Sequence, residues 1–151
     1  MISAKLERVR LDSIRLPDET PGEFGLVTVI VACPGNAHEV LEKVRETLRI
    51  VMGHDAGWPT DEEWLTILPS WFVSQCVSEQ AHTPEMMDAW SVDGWVYWFR
   101  PEDEDRSWRW WDASVIDADT INIQIEVSDW PFPWGALEWL LLASGATSAE
   151  V

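Results

Sequence analysis

The chain has 151 residues, the size of one ordinary domain, and 46% of them are hydrophobic, which excludes an intrinsically disordered segment. Its formal net charge is −17 and unevenly placed: Lys5, Arg8, Arg10 and Arg15 against Glu7 and Asp12 give residues 1–15 a net +2, so the other 136 residues carry −19 with six basic side chains. A field of that sign repels nucleic acid and anionic lipid and attracts basic proteins or metal cations, so no nucleic acid and no membrane is expected among the partners.

A single compact domain over 1–151 is expected. Residues 4–11 alternate imperfectly, Val9 and Leu11 against Arg8 and Arg10, and predict a strand with one face in water. Pro17 to Gly22 supply turn residues, and the β-branched run Phe24 to Cys33 predicts a central strand that pairs with 4–11 as a hairpin. Asn36 followed by Glu39 forms a capping-box pattern for the clearest helix. Val40, Leu41, Val44, Leu48 and Val51 make its apolar stripe, and Gly53 its stop. Thr60 with Glu63 repeats the pattern before a short helix carrying Trp64, Leu65 and Leu68. Pro69 interrupts, Trp71 to Cys76 predict a further helical turn or two, and Thr83-Pro84-Glu85 a third short helix holding Met86, Met87 and Trp90.

From Trp95 the pattern reads with a period of two. Residues 95–99 and 107–116 predict strands joined by an acidic loop from Arg100 to Arg106, and 120–127 is the cleanest strand, with Ile121, Ile123, Ile125 and Val127 on one side. The turn before it is Asp117-Ala118-Asp119, and a last helix over about 133–143 stops at Gly145. The order β-β-α-α-β-β-β-α, with the third short helix before the last three strands, predicts an α+β fold: an antiparallel sheet of about five strands with helices packed on one face.

Twelve tryptophans are the second compositional signal. Each offers roughly 150–250 Å² of buried surface, and Trp is over-represented among the residues that anchor protein interfaces. Trp108 and Trp110 share one side of their strand while Trp111 takes the other, so each face must cover an indole with the chain itself or with a partner. Trp130, Phe132, Trp134 and Trp139, set around Pro131 and Pro133, predict a clasp on the last helix. Leu140, Leu141 and Leu142 leave that helix apolar almost all round, which requires deep burial or a homodimer contact.

No GxSxG, P-loop or GxGxxG pattern occurs, so no catalytic residue and no cofactor is assigned. His38, His54 and His82 lack an identifiable third ligand, so no metal is assigned either, and Cys33 and Cys76 are expected to be reduced buried thiols. The absence of an apolar h-region at the start, and of any apolar run near the roughly 20 residues that span a bilayer, predicts a cytoplasmic protein.

The candidate partner-binding residues are Glu102, Asp103, Glu104 and Asp105 at the loop, the aromatic platform Trp108 and Trp110 with Arg109, and Asp117 and Asp119 at the following turn. Dense carboxylates steer association with a cationic protein, and aromatic anchors supply a desolvated centre. These features predict a non-enzymatic protein-binding module, an acidic inhibitor of the bacterial immunity or antitoxin kind that neutralises a basic, nuclease-like partner. The protein itself would be a monomer, or a homodimer through its C-terminal helix. The alternative is a small-ligand (sugar or cation) binding protein or enzyme with an aromatic-lined acidic pocket.

Overall fold

Strand propensity sets the middle of the molecule. The computed structural model describes residues 7, 10, 11, 25–54, 57–77, 90–100 and 106–151. In chain order the elements are β1 (Leu26–Ala32), α1 (Ala37–Met52), α2 (Asp61–Ile67), α3 (Ser70–Gln75), α4 (Val92–Tyr97), β2 (Trp108–Asp117), β3 (Thr120–Val127), α5 (Gly135–Ala143) and β4 (Ser148–Glu150). The fold is α+β, with one antiparallel sheet of four strands in the order β2-β3-β1-β4.

The alternation read from β3 holds residue by residue. Ile121, Ile123, Ile125 and Val127 are buried, as are Val29 and Val31 of β1, and together they meet α1 and α5 on one side of the sheet. The predicted α1 stripe is wholly interior, joined by Ala37, Thr47 and Met52. The apolar character of α5 is explained by burial of Ala136, Leu137, Leu140 and Leu141, while Leu142 reaches solvent. Gly145 ends this stretch at φ +117°, a backbone state that L side chains rarely adopt, and a Cβ there would also crowd Asn36 Nδ2 at 3.1 Å.

Several expectations are corrected. Glu7, Arg10 and Leu11 are helical rather than extended, and among the described residues the strands that pair with β1 are β3 and β4. Residues 95–99 do not make a strand: they belong to α4 and the turn after it. Ser91 caps this helix by accepting from the Gly94 N–H, and Val92, Trp95, Val96 and Phe99 are buried at helical spacing. Among the described residues the sheet therefore has four strands, the fourth being the three-residue β4, which no pattern in Ser148–Glu150 announces.

The two capping boxes part ways. Thr60 and Glu63 form theirs reciprocally. Asn36 makes no side-chain cap, and the start of α1 is held instead by the β2–β3 turn. Cys33 N–H donates to the Asp119 carbonyl (2.7 Å), Gly35 N–H to Asp119 Oδ1 (2.7 Å) and Ala37 N–H to the Ala118 carbonyl (3.1 Å). The predicted short helix that begins at Thr83-Pro84-Glu85 and holds Met86 and Met87 lies outside the described residues, and Trp90, its last member, is not helical.

Candidate functional site: the open sheet face and its edges

The two sides of the sheet differ in what covers them. Trp108 and Trp110 point with Ile125 and Val127 into the helix-covered side and are fully buried, so they do not form an exposed platform. The Trp108 indole N–H donates to the Pro133 carbonyl (3.0 Å), and the Trp95 indole to Ala136 (2.9 Å), which ties the Trp-Pro loop and α5 to the core. The expected clasp forms only in part: Phe132, Trp134 and Trp139 pack against the core, whereas Trp130 is 60% exposed.

Trp111 takes the opposite side, and the chain covers it. The Arg10 guanidinium lies 4.3 Å from the Trp111 ring centroid, with one nitrogen 3.8 Å from Glu126. One turn away, Glu7 is 1% exposed and accepts two hydrogen bonds from Arg106 (2.8 and 2.9 Å) and one from the Trp110 N–H (2.9 Å). Burial alone would raise the Glu7 carboxyl, but the Arg106 charge and hydrogen bonds, helped by Arg109 and the Trp110 N–H, hold it below the ordinary carboxylate value. Arg106 in turn stacks between Phe99 and Trp108, at 5.0 and 4.8 Å from their ring centroids.

Beyond Arg10 and Trp111 the same side opens to water. A bulge between Trp110 and Asp112 shifts the register so that Asp112 and Ser114 share this face with Gln124 and Asn122, and Thr28 and Ile30 continue it on β1. Ile30 is 43% exposed and Ile116, beyond Ser114, is 57% exposed. Asp112, Ala113, Ser114, Asn122 and Gln124 line an open depression of about 140 Å³. That is smaller than the roughly 300–1,000 Å³ of a cleft that swallows a drug-sized ligand. Asp117, Asp119 and Glu150 are exposed at its far end and along its edge. The described cations nearest this face, Arg10 and Arg109, sit together at the opposite end, beside Glu126.

The expected site residues thus separate. Asp117 and Asp119 are exposed at the end of the open face, but both also serve the fold: Asp117 Oδ1 accepts from the Asp119 N–H (2.8 Å), and Asp119 anchors Gly35. Arg109 is half-buried on the open side, paired across the ladder with Glu126, and donates to the Trp108 carbonyl (2.8 Å). Glu102, Asp103, Glu104 and Asp105 lie outside the described residues. Sequence reasoning missed Ile30, Ile116, Asn122 and Ser114, although their alternation with buried residues was the available signal.

The edges are unequal as well. Along β2, four of the backbone groups that point away from β3 are occupied by side chains: the Trp108 carbonyl by Arg109, the Trp110 N–H by Glu7, the Ala113 N–H by Asp112 (2.9 Å) and the Ala113 carbonyl by Arg45 (3.2 Å). Such plugging blocks strand addition. On the other edge β4 pairs only with Ile30, Val31 and Ala32 of β1.

Among the described residues no group of three His, Cys, Asp or Glu side chains is placed to hold a metal ion. His54 Nδ1 is 2.7 Å from the Ile50 carbonyl and its ring meets Trp64 edge-on. Cys33 and Cys76 are free thiols, both pushed up by burial. No helix among the described residues is long and apolar enough to cross a membrane. Comparison with protein-family models, curated proteins and solved structures gives no match to this chain.

Proposed function

We propose that this chain is a non-enzymatic, acidic protein-binding module that neutralises a basic protein partner, of which a nuclease-like toxin is the natural example. The observation that supports it most is the open sheet face: exposed Ile30 and Ile116 beside the uncharged hydrogen-bonding side chains of Thr28, Ser114, Asn122 and Gln124, with Asp112, Asp117, Asp119 and Glu150 around them. Interfaces mix apolar and hydrogen-bonding side chains in this way, and a net charge of −17 steers a cationic partner onto such a face. A nuclease presents a cationic cleft to phosphate, so an anionic face competes for the same surface. The catalytic and cofactor assignments of this reading are none, and its cellular setting is the cytoplasm.

Affinity capture from the native host, followed by calorimetry on the recovered protein at low and high salt, tests it. The expected partner is basic, its affinity falls steeply with ionic strength, and Ile30→Lys with Ile116→Lys abolishes binding without lowering the melting temperature. Binding that ignores salt, or that survives both substitutions, overturns the reading.

A further inference from the structure

We infer that the depression on the open sheet face is a socket for one arginine side chain of a protein partner, with Asn122 and Gln124 as its floor, Ser114 as its wall and Asp117 at its mouth. The inference deepens the proposed function and rests on it for the existence of a basic protein partner, but not for where that partner's cation sits.

The strand register brings these groups together. Asn122 pairs with Ser114 on β2 and with Ile30 on β1, so the three side chains form one row across the face. Thr120, two residues before Asn122 and on the same face, pairs with Asp117, which sets an exposed carboxylate beside that row. The depression holds about 140 Å³, roughly the space of four or five waters, which suits the head of one side chain and not a drug-sized ligand. Its floor carries an unsatisfied group: Asn122 Oδ1 is buried and has no hydrogen-bond partner among the described residues. An acceptor left in that state is costly, and rotation about the last side-chain torsion, which is soft in Asn, turns it towards a donor seated above.

Charge and shape select arginine. Asp117 gives one oxygen to the Asp119 N–H, and neither Asp117 nor Asp119 has an ion-pair partner among the described residues. Arg109 stands across from Glu126, about 13 Å further along β3 than Asn122, so the socket is bordered by the acidic end of the face and not by its cationic end. Asp112 is held by the Ala113 N–H, and the socket needs nothing from it. A guanidinium carries N–H donors in a planar fork and accepts nothing, so it reaches Asn122, Ser114 and Asp117 together while its stem lies on exposed Ile30. An ammonium is a compact point charge and meets fewer of these oxygens.

The test titrates the isotope-labelled full chain at low salt with end-blocked tripeptides that carry arginine, lysine or citrulline between glycines, read by NMR. The arginine peptide shifts the side-chain amide signals of Asn122 and Gln124 with a dissociation constant on the order of 1 mM. The lysine peptide binds about fivefold more weakly, and citrulline, which keeps the shape and loses the charge, about tenfold more weakly. Asn122→Val suits a strand, so circular dichroism and melting stay close to wild type while affinity for the arginine peptide falls about tenfold. Asp117→Asn keeps the acceptor for the Asp119 N–H and lowers that affinity about threefold, whereas Asn122→Asp adds a carboxylate to the floor and raises it about threefold. Arginine bound no more tightly than lysine or citrulline overturns the inference, as does wild-type affinity in all three variants. Shifts elsewhere with Asn122 and Gln124 unmoved, or no shift up to about 10 mM peptide, overturn the socket and leave the proposed function standing. Salt-dependent capture of a basic partner tests that function by itself, so the two failures are read separately.

Discussion

Glu7 offers the sharpest perturbation of this fold. Its carboxylate receives two Arg106 bonds and the Trp110 N–H in a site that is 1% exposed, so Glu7→Ala strands a guanidinium among Phe99 and Trp108 and reopens one backbone donor on the β2 edge. Removing one partner of a buried ion pair costs about 3–5 kcal/mol, most of it from the charge left behind. For a chain of this size roughly 2–4 °C of melting temperature goes with each kcal/mol, so a fall of about 6–20 °C is expected. Replacing both partners with apolar residues, Glu7→Leu with Arg106→Met, removes the orphaned charge and should recover most of the loss. Urea unfolding at neutral pH of the wild type, Glu7→Leu, Arg106→Met and their double variant, with Glu7→Ala beside them, provides the numbers. A single-mutant loss under about 1 kcal/mol would refute the claim that this pair is desolvated and structurally coupled. The sign with pH follows from the lowered carboxyl: a group held below its unfolded value of about 4.3 stabilises the fold fully above that value and loses this contribution as pH falls through the folded value. Acid should therefore destabilise the wild type more than Glu7→Gln, measured as the difference between their stabilities from neutral pH down to pH about 3.

Trp108→Ala should cost about 3–5 kcal/mol through the cavity it leaves, whereas Trp130→Ala, at the surface, should stay within about 0.5 kcal/mol; chemical denaturation of both separates interior from exposed indoles. Thr60→Ala removes the side-chain half of the capping box at the start of α2 and should lower stability by about 1 kcal/mol in the same assay. Because the net charge is −17, moderate salt should raise the melting temperature measured by calorimetry, and a flat response would mean that the carboxylates are paired or well dispersed.

How much of this was legible depended on whether a segment's pattern is decided locally. β3 and the α1 stripe are decided so, because strict alternation and a 3.6-residue period each admit one buried side. Residues 92–99 misled because Val, Trp, Tyr and Phe favour strands, and starting the segment at Trp95 cuts off Ser91 and Val92, the cap and first turn that reveal the helix. The spacing of Glu7, Arg10 and Leu11 is likewise helical, but the intervening charges make it resemble a half-wet strand. β4 left no trace, since its pairing comes from where Gly145 turns the chain back and not from its own residues. For the candidate site, alternation separated Trp108 and Trp110 from Trp111 correctly, yet it could not say which side the helices would take. They took the Trp108 side, and the exposed face fell to Ile30, Ser114 and Asn122 instead.

The Ala118–Asp119 turn, bonded to the residues just before and at the start of α1, has a bearing on how the chain matures. It locks together stretches 84 positions apart in sequence, and the β1–β3 ladder beside it spans a comparable separation. Closing so large a loop is slow, and the reward arrives only when both partners exist. During synthesis the first helix must therefore wait, its apolar stripe uncovered, until the ribosome has delivered β3. Fragments that stop short of Val127 should be insoluble or unstructured, and any protective chaperone has its period of work set by that interval.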